Sequence, residues 1–463
     1  MTPLPPYIFD VYALSLPRGL GFGDNLPVSA WSNSDNLTVG ALLQNHCSGK
    51  YGVLVMRRRE DHVWAVLRRE SESLSKNEAL AIIRQACDET ACPVPIPPGT
   101  RRRAPLWDTK GCVPSGIFKL LGHPARQGGA WMLNQLYLAM PNPDPNWAKD
   151  CQTSNFHTRL WEALLLASFR EQGLLVTQEY SSPDFYVTNR LGGDAWVEAV
   201  TVNPSVRYDH ARGGEPQFPH DRRERTLGIA AERYARTLRN KLCKNYTSMH
   251  HVIGKPFAIA IADFHAPGSM MWSREALMSY LYGFYASEVE IEGKAVAIAE
   301  PIGHLPGEPN IRAGLFTSCE NETLSAVIFS NAATLSKLSR VPMSFGGKNE
   351  DYRYVRVGIF ADDTSGALRG IPFCMDVSSD QYRSLWKPYG YEPWSAEIEV
   401  FHNPNALHPI NPALFPEVSH WIQVNDEIIC KRFFKNSILS SQTLIQNSCS
   451  PIAEVDKMVY PRY

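Results

Sequence analysis

The sequence predicts a mixed α/β (α+β) protein with a small N-terminal α/β unit, a central core and a β-rich C-terminal region. The first observation is the length of 463 residues, which suggests two or three domains at about 150 residues each. The second is the alternation of helical and strand patterns between residues 156 and 264. The third is a proline-rich segment at residues 93–105, which separates this core from an N-terminal hairpin and helix.

The N-terminal unit is predicted over residues 1–105. Tyr51–Arg58 and residues 62–67 are β-rich runs around a charged turn, which predicts a hairpin. Residues 75–87 form an amphipathic helical pattern, in which Ser75 and Glu78 have the spacing of an N-terminal capping box.

The predicted core spans residues 106–290. Phe156–Glu171 has the pattern of a strong helix, and Gly173 ends it. A strand apolar on both faces, residues 195–202, is expected at the centre of the sheet. The remaining predicted elements of the core are strands at 174–180, 184–188 and 256–264 and helices at 225–246 and 273–285.

The last region, residues 291–463, contains short β-like runs between turns rich in Pro, Asn and Gly. The sequence leaves open whether it is a separate domain or an extension packed on the preceding sheet. Its predicted strands are residues 295–299, 324–329, 354–360 and 396–401.

Composition excludes several classes of protein. Hydrophobic residues make up 44% of the chain and charged residues 20%, which excludes a mainly disordered or coiled-coil protein. We expect no membrane span and no signal peptide, because no apolar run reaches about 18 residues and the N-terminus lacks the required charge pattern. A net charge of −1 leaves nucleic-acid binding to local patches. The ten cysteines contain no C-x-x-C pair, which favours a reducing, cytoplasmic location.

Three acids occupy predicted buried positions. Glu162 lies in an apolar helix, Glu198 interrupts the central strand, and Asp184 follows Pro183 at the start of another strand. An unpaired buried carboxylate costs several kcal/mol, roughly, so each acid is expected to gain a cation, a proton or a metal ion. Asp184 and Glu198 lie on neighbouring predicted strands and can share one Mg²⁺ or Mn²⁺ ion. The alternative is that each acid is a satisfied structural residue.

The order of helix, three strands, helix and strand, with these acids in place, resembles the PD-(D/E)XK nuclease superfamily over residues 150–265. The segments SPDF and WVEAVTVNP also resemble uncharacterised bacterial proteins of this fold. The resemblance implies a restriction-endonuclease-like core, a mixed sheet flanked by helices, that hydrolyses phosphodiester bonds with Mg²⁺ or Mn²⁺. It implies metal binding by Asp184 and Glu198, with the backbone carbonyl of Ala199 or a water molecule completing the shell. Glu162 would then bind a second ion or orient a water molecule.

One position departs from the family pattern, which has lysine two residues after the second acid. Val200 stands there. Lys241 lies on the apolar stripe of the following helix with Tyr234 and Leu238, so we predict that it replaces the missing lysine. The alternative is that the Lys241 side chain only extends to solvent. Lys244 points away from this stripe and is expected in solvent.

Substrate contacts are predicted from polar residues next to these elements. Gln152 precedes the helix at residues 156–171 and is predicted to bind substrate or a water molecule in the site. The alternative role for Gln152 is a structural cap or turn contact. The loop after the central strand is rich in basic residues that can grip phosphates, although such loops are often only solvated. The predicted substrate-binding set is Gln152, His220, Arg222 and Arg223, and the same loop contains His210, Arg212 and Arg225. The basic triplets at 57–59 and 101–103 are candidates to extend this set.

The sequence therefore supports a metal-dependent nuclease, with DNA favoured over RNA as its substrate. A bacterial defence or toxin role is the expected context, because nucleases with additional domains often have such roles. A homodimer or a defence-system partner protein is part of this expectation. Val200 favours a rival from another class, an inactive nuclease fold that binds nucleic acid or protein as a sensor or scaffold. A third interpretation is an enzyme of unrelated chemistry that uses the carboxylates as acid and base.

Overall fold

The computed structural model describes residues 1–16, 25–88, 91–204, 218–291, 294–347, 349–363, 370–425 and 427–451. It is a mixed α/β protein with helices and several sheets, as the sequence predicts at the level of fold class. In these ranges every helix is too short or too polar to cross a membrane.

The N-terminal unit is an antiparallel meander with a helix packed on one face. Ala79 and Ile83 of that helix are buried against the sheet residues Leu42 and Val53. Ser75 and Glu78 form the predicted capping box, because each side chain accepts a hydrogen bond from the other residue's backbone N–H. The elements are β1 (Thr2–Leu4), α1 (Pro6–Ala13), β2 (Asn25–Ser32), β3 (Thr38–Asn45), β4 (Tyr51–Arg58), β5 (Trp64–Leu74) and α2 (Lys76–Asp88).

From residue 156 to residue 282 the core follows the predicted order of helices and strands, apart from one predicted helix that is broken in two, whereas the sequence does not predict the three helices between residues 116 and 152. The helix Phe156–Glu171 has the predicted bounds. The last helix of the core ends earlier than predicted, because Gly283, at φ 71°, adopts the left-handed conformation that terminates helices. The elements are α3 (Gly116–Leu120), α4 (Gln127–Ala139), α5 (Trp147–Gln152), α6 (Phe156–Glu171), β6 (Leu175–Thr177), β7 (Phe185–Thr188), β8 (Asp194–Val202), α7 (Arg222–Leu227), α8 (Ile229–Leu242), β9 (Phe257–Asp263) and α9 (Arg274–Tyr282).

The prediction of one long helix at residues 225–246 is wrong. The chain forms α7 and α8 instead, and Gly228 separates them with a non-helical backbone (φ −83°, ψ −141°). A Cβ atom at Gly228 would collide with the carbonyl oxygen of Glu224, so glycine permits this close turn. Asp221 caps α7 by accepting a hydrogen bond from the Glu224 N–H at 2.7 Å.

The C-terminal region contains predominantly strands. The elements are β10 (Phe284–Ile291), β11 (Lys294–Pro301), β12 (His304–Leu305), β13 (Glu308–Arg312), β14 (Ala326–Ser330), α10 (Leu335–Ser344), β15 (Tyr352–Phe360), β16 (Ile371–Asp376), α11 (Asp380–Arg383), β17 (Ile398–His402), β18 (Ser419–Val424), β19 (Glu427–Lys431) and β20 (Ile438–Asn447). Strands β15, β16 and β20 form a sheet of their own.

The central sheet joins the core to the C-terminal region. Its strand order is β19-β18-β17-β14-β9-β8-β7-β6, with β8, β9 and β14 parallel. The strands β14, β17, β18 and β19 therefore extend the core sheet, whereas β15, β16 and β20 do not join it. Helices α4 and α6 cover one face and α8 and α9 the other, so that β8 lies between two hydrophobic layers.

Candidate active site

Asp184 and Glu198 lie side by side on the β7–β8 hairpin. Phe185 pairs with Val197, so Asp184, one residue before β7, lies opposite Glu198. The Asp184 carboxylate accepts a hydrogen bond from the backbone N–H of Ala199 at 2.7 Å. The structure thus brings the two predicted acids together, as their places on neighbouring strands indicated.

Glu198 is buried, with 5% of its surface exposed, and its two oxygens have different surroundings. Oε1 accepts hydrogen bonds from Nζ of Lys241 at 2.5 Å and from the hydroxyl of Tyr246 at 2.6 Å. Oε2 is buried and has no hydrogen-bond partner among the described residues. A buried carboxylate oxygen without a donor is energetically costly, and a bound cation would remove that cost.

Helix α8 positions Lys241. The helix buries Tyr234, Ala235 and Leu238 against the sheet, and Lys241 follows on the same side with 19% of its side chain exposed. Val200 is half-buried and packs against the same hydrophobic layer. The Lys241 ammonium group thus contacts Glu198 from the helix, while Val200 occupies the strand position at which the PD-(D/E)XK pattern has lysine.

Glu162 is held by residues that sequence reasoning missed. Its Oε2 accepts a hydrogen bond from Trp147 Nε1 at 2.8 Å, and Arg159 Nη1 lies 2.9 Å from Oε1. Arg159 also contacts Asp150 at 2.5 Å. The i, i+3 spacing of Arg159 and Glu162 was a usable signal, whereas the Trp147 contact required the fold. These contacts favour a structural role for Glu162 over the predicted second metal ion or water.

Two of the three acids, Asp184 and Glu162, have raised pKa values. Burial, followed by the charges of Glu198 and Glu162, raises the pKa of Asp184 well above its ordinary value. Burial also raises the pKa of Glu162, against the opposing effect of Arg159, and Glu198 adds to the rise. Concentrated negative charge of this kind is typical of functional sites and favours a bound cation.

Asp184→Asn is expected to stabilise the metal-free protein at neutral pH. Because the pKa of Asp184 is raised, folded protein retains this proton to higher pH than the unfolded chain, where Asp titrates near about 3.9. The free energy of unfolding therefore falls as pH rises through that window, by ~1.4 kcal/mol per unit of pKa shift. Asparagine lacks this penalty and can still accept the Ala199 hydrogen bond.

The measurement is thermal unfolding in EDTA across pH, with Asp35→Asn as the control. Asp35 is exposed in the turn between β2 and β3. A midpoint for Asp184→Asn equal to or below that of the wild type at neutral pH would contradict the prediction.

The donor chemistry of the site fits a hard divalent cation at two of the predicted ligands. Among the described residues no group of three or more His, Cys, Asp and Glu side chains is placed to hold a metal. Mg²⁺ is commonly held by one or two carboxylates, with water and phosphate oxygens completing its shell. Asp184 and the unpartnered oxygen of Glu198 meet that requirement, while Glu162 is engaged elsewhere. The role of the Ala199 carbonyl stays a prediction.

The predicted substrate-binding residues lie in different surroundings. The buried Gln152 side chain donates to the backbone carbonyls of Leu106 at 2.7 Å and Asp108 at 3.1 Å. These contacts favour a structural role for Gln152 over substrate binding. Arg222 lies 3.5 Å from Glu275, and Arg223 stacks over the Tyr285 ring at 5.3 Å. The fourth member of the set, His220, is exposed. Of the other basic residues of this loop, Arg225 is buried, and His210 and Arg212 lie outside the described residues.

Comparisons with known proteins do not identify the chain. No protein-family model, no curated protein and no solved structure matches it. The function therefore has to be inferred from the site itself, in which two adjacent acids face a lysine from the neighbouring helix.

Proposed function

We propose that this chain is a divalent-metal-dependent nuclease with a restriction-endonuclease-like core of the PD-(D/E)XK type, acting on DNA in preference to RNA. The observation that carries the proposal is the contact of 2.5 Å between Lys241 Nζ and Glu198 Oε1, beside Asp184. This contact supplies the lysine that Val200 does not provide. It supports an active enzyme, because an ammonium group at this carboxylate can stabilise the negative charge that develops on a phosphate.

The order of elements supports the same proposal. Helix α6, strands β6, β7 and β8, helices α7 and α8 and strand β9 follow one another, with helices on both faces of the sheet. Glu162 lies on α6, Asp184 directly before β7 and Glu198 on β8, in the order that the resemblance implies. Both arguments concern residues 150–265, where the sequence resembles the superfamily.

The residues have separate tasks in the proposed reaction. Asp184 and Glu198 would hold Mg²⁺ or Mn²⁺, which when bound lowers the pKa of a water molecule and polarises the phosphate. The Ala199 N–H fixes the orientation of the Asp184 carboxylate, and the Tyr246 hydroxyl fixes that of Glu198. The Lys241 ammonium group orients the attacking water and stabilises negative charge that develops on the phosphate.

Exposed groups near the acids suit a nucleic-acid strand. Tyr180 is 40% exposed, and its ring stacks on His251 with centroids 3.8 Å apart. His251 contacts the carbonyl of Ser182 at 3.0 Å, two residues before Asp184. Unstacked bases bind exposed aromatic rings, so this stacked pair offers a surface for a base.

Val200 favours a second function, that of an inactive nuclease fold, because it stands where the family pattern has the catalytic lysine. An inactive nuclease fold that senses or scaffolds nucleic acid would keep the acids and the exposed aromatic surface but would not cleave. In that case the Lys241–Glu198 ion pair substitutes for a metal ion instead of serving catalysis.

The deciding experiment is a cleavage screen with linear duplex DNA, single-stranded DNA and RNA, each in Mg²⁺, Mn²⁺ or EDTA. The proposal predicts cleavage of at least one substrate with metal and none in EDTA. Nucleic-acid binding without cleavage under every condition would favour the sensor. Cleavage that persists in EDTA would exclude the metal-dependent mechanism.

A further inference from the structure

A cavity of about 310 Å³ lies between the N-terminal unit and the core, away from the Glu198 carboxylate. The segment at residues 100–104, the end of α4 and strand β6 surround it. We call it the arginine cavity, because its wall contains Arg59, Arg101, Arg102, Arg103 and Arg170. Asp144 is the one carboxylate among the described lining residues.

Most of this positive charge has no acidic partner. Arg59 is paired with Asp61, with contacts of 2.9 and 2.6 Å, and Arg102 lies 3.9 Å from Glu60. In contrast, Arg101, Arg103 and Arg170 donate to backbone carbonyls, and none of them forms an ion pair within the described residues. The cavity therefore has an excess of positive charge.

Arg170 is the most informative of these residues. It is 2% exposed, and its Nη1 donates to the carbonyls of Leu14 and Ala139, while its buried Nε has no partner among the described residues. Burial without a carboxylate lowers the pKa of its guanidinium to about 9, which reflects an uncompensated cost of removing the charge from water. An anion in the cavity would offset that cost.

We propose that the arginine cavity binds the phosphate groups of a small phosphorylated molecule, such as a nucleoside diphosphate or triphosphate. Guanidinium groups bind phosphate oxygens in a forked geometry, and five arginines line this cavity. Small-molecule sites commonly have volumes of about 300–1,000 Å³, and this cavity lies at the lower end of that range. A bound phosphate would neutralise the arginines that lack an acidic partner.

Two contact chains connect the arginine cavity with the acidic site. Tyr137 in its wall stacks on Trp147 at 4.7 Å, and Trp147 donates to Glu162. Asp144 lies 3.9 Å from Arg159, which contacts Glu162 directly. A phosphorylated ligand in the cavity would therefore act on cleavage indirectly, by shifting the structural contacts that hold Glu162. This regulatory consequence rests on the proposed nuclease function, but the binding does not.

Isothermal titration of the full chain with pyrophosphate and with ATP tests the binding. One saturable site is expected, and Arg101→Gln should weaken it about tenfold or more, because one charged hydrogen bond is lost. Arg101 is exposed, so this variant should fold, which circular dichroism can verify. Arg84→Gln, an exposed arginine on α2, is the charge-matched control and should bind as the wild type does.

Absence of binding of both probes to the wild type would overturn the proposal. Equal affinities of Arg101→Gln and Arg84→Gln would also overturn it. A third outcome is that a 5′-phosphorylated oligonucleotide binds through Arg101 while pyrophosphate and ATP do not bind. That result would exclude a small ligand and would show that the cavity binds the phosphorylated end of a nucleic-acid strand. Because binding is the readout, the result is independent of any cleavage.

Discussion

Lys241→Met is expected to reduce metal-dependent cleavage by about 100- to 1,000-fold, the usual effect of removing one donor that stabilises charge in the transition state. The substitution removes the ammonium group 2.5 Å from Glu198 Oε1 and keeps an alkyl chain of similar length. The Tyr246 hydrogen bond to the same oxygen remains, so Glu198 keeps its orientation. Divalent-ion binding should be retained, because Lys241 is no ligand.

Lys244→Met is the matched control, because Lys244 lies three residues further along the chain and is exposed. Single-turnover cleavage rates at saturating Mg²⁺ compare the two variants, and Mn²⁺ titration checks the metal site. Equal rates for Lys241→Met and Lys244→Met would show that Lys241 has no role in the reaction. A loss of Mn²⁺ binding in Lys241→Met would assign the effect to a disturbed site rather than to the missing ammonium group.

Glu392→Gln is expected to lower the free energy of unfolding by about 3–5 kcal/mol, because it breaks a buried ion network. Glu392 is fully buried and accepts hydrogen bonds from Arg340 at 2.9 Å and from the Tyr382 hydroxyl at 2.6 Å. Arg356, also fully buried, lies 3.7 Å away and contacts Glu397 at 2.5 Å. Neutralising Glu392 leaves the two arginines with insufficient negative charge in the interior.

The pH dependence of this network follows from the pKa of Glu392. Burial alone would raise it, but Arg340 and Arg356 outweigh burial and lower it to about 2. A lowered acid pKa means that the stabilisation is present at neutral pH and is lost as pH falls toward that value.

Urea denaturation at neutral pH measures the Glu392 effect. The control is Glu427→Gln, an exposed acid on β19, for which a change within about 0.5 kcal/mol is expected. Comparable losses in the two variants, or no loss in Glu392→Gln, would contradict the prediction.

Local sequence patterns were sufficient for the elements that carry the site. The apolar run around Glu162 predicts α6, and the apolar strand around Glu198 predicts β8, because burial leaves a clear periodic signal. The contact of Lys241 with Glu198 agrees with its place on the apolar stripe of α8. Acids and a lysine stand out in such apolar segments, since burying them without a partner is costly.

Features that depend on distant parts of the chain left no such signal. The break at Gly228 follows from a close contact with Glu224, and the Trp147–Glu162 hydrogen bond joins two helices. The extension of the sheet through β14 and β17 depends on pairing with β9, which short β-rich runs do not specify. Tertiary contacts decide these features.

The most direct test of the nuclease proposal is cleavage of linear duplex DNA in Mg²⁺ or Mn²⁺ by the wild type, Asp184→Ala and Glu198→Ala, with EDTA as the metal-free condition. The two carboxylates are adjacent on β7 and β8 and are proposed to hold the same ion, so both variants should lose cleavage together. The wild type should cleave with metal and stop in EDTA. Cleavage by either variant at the wild-type rate would contradict the assignment of these acids as the metal site.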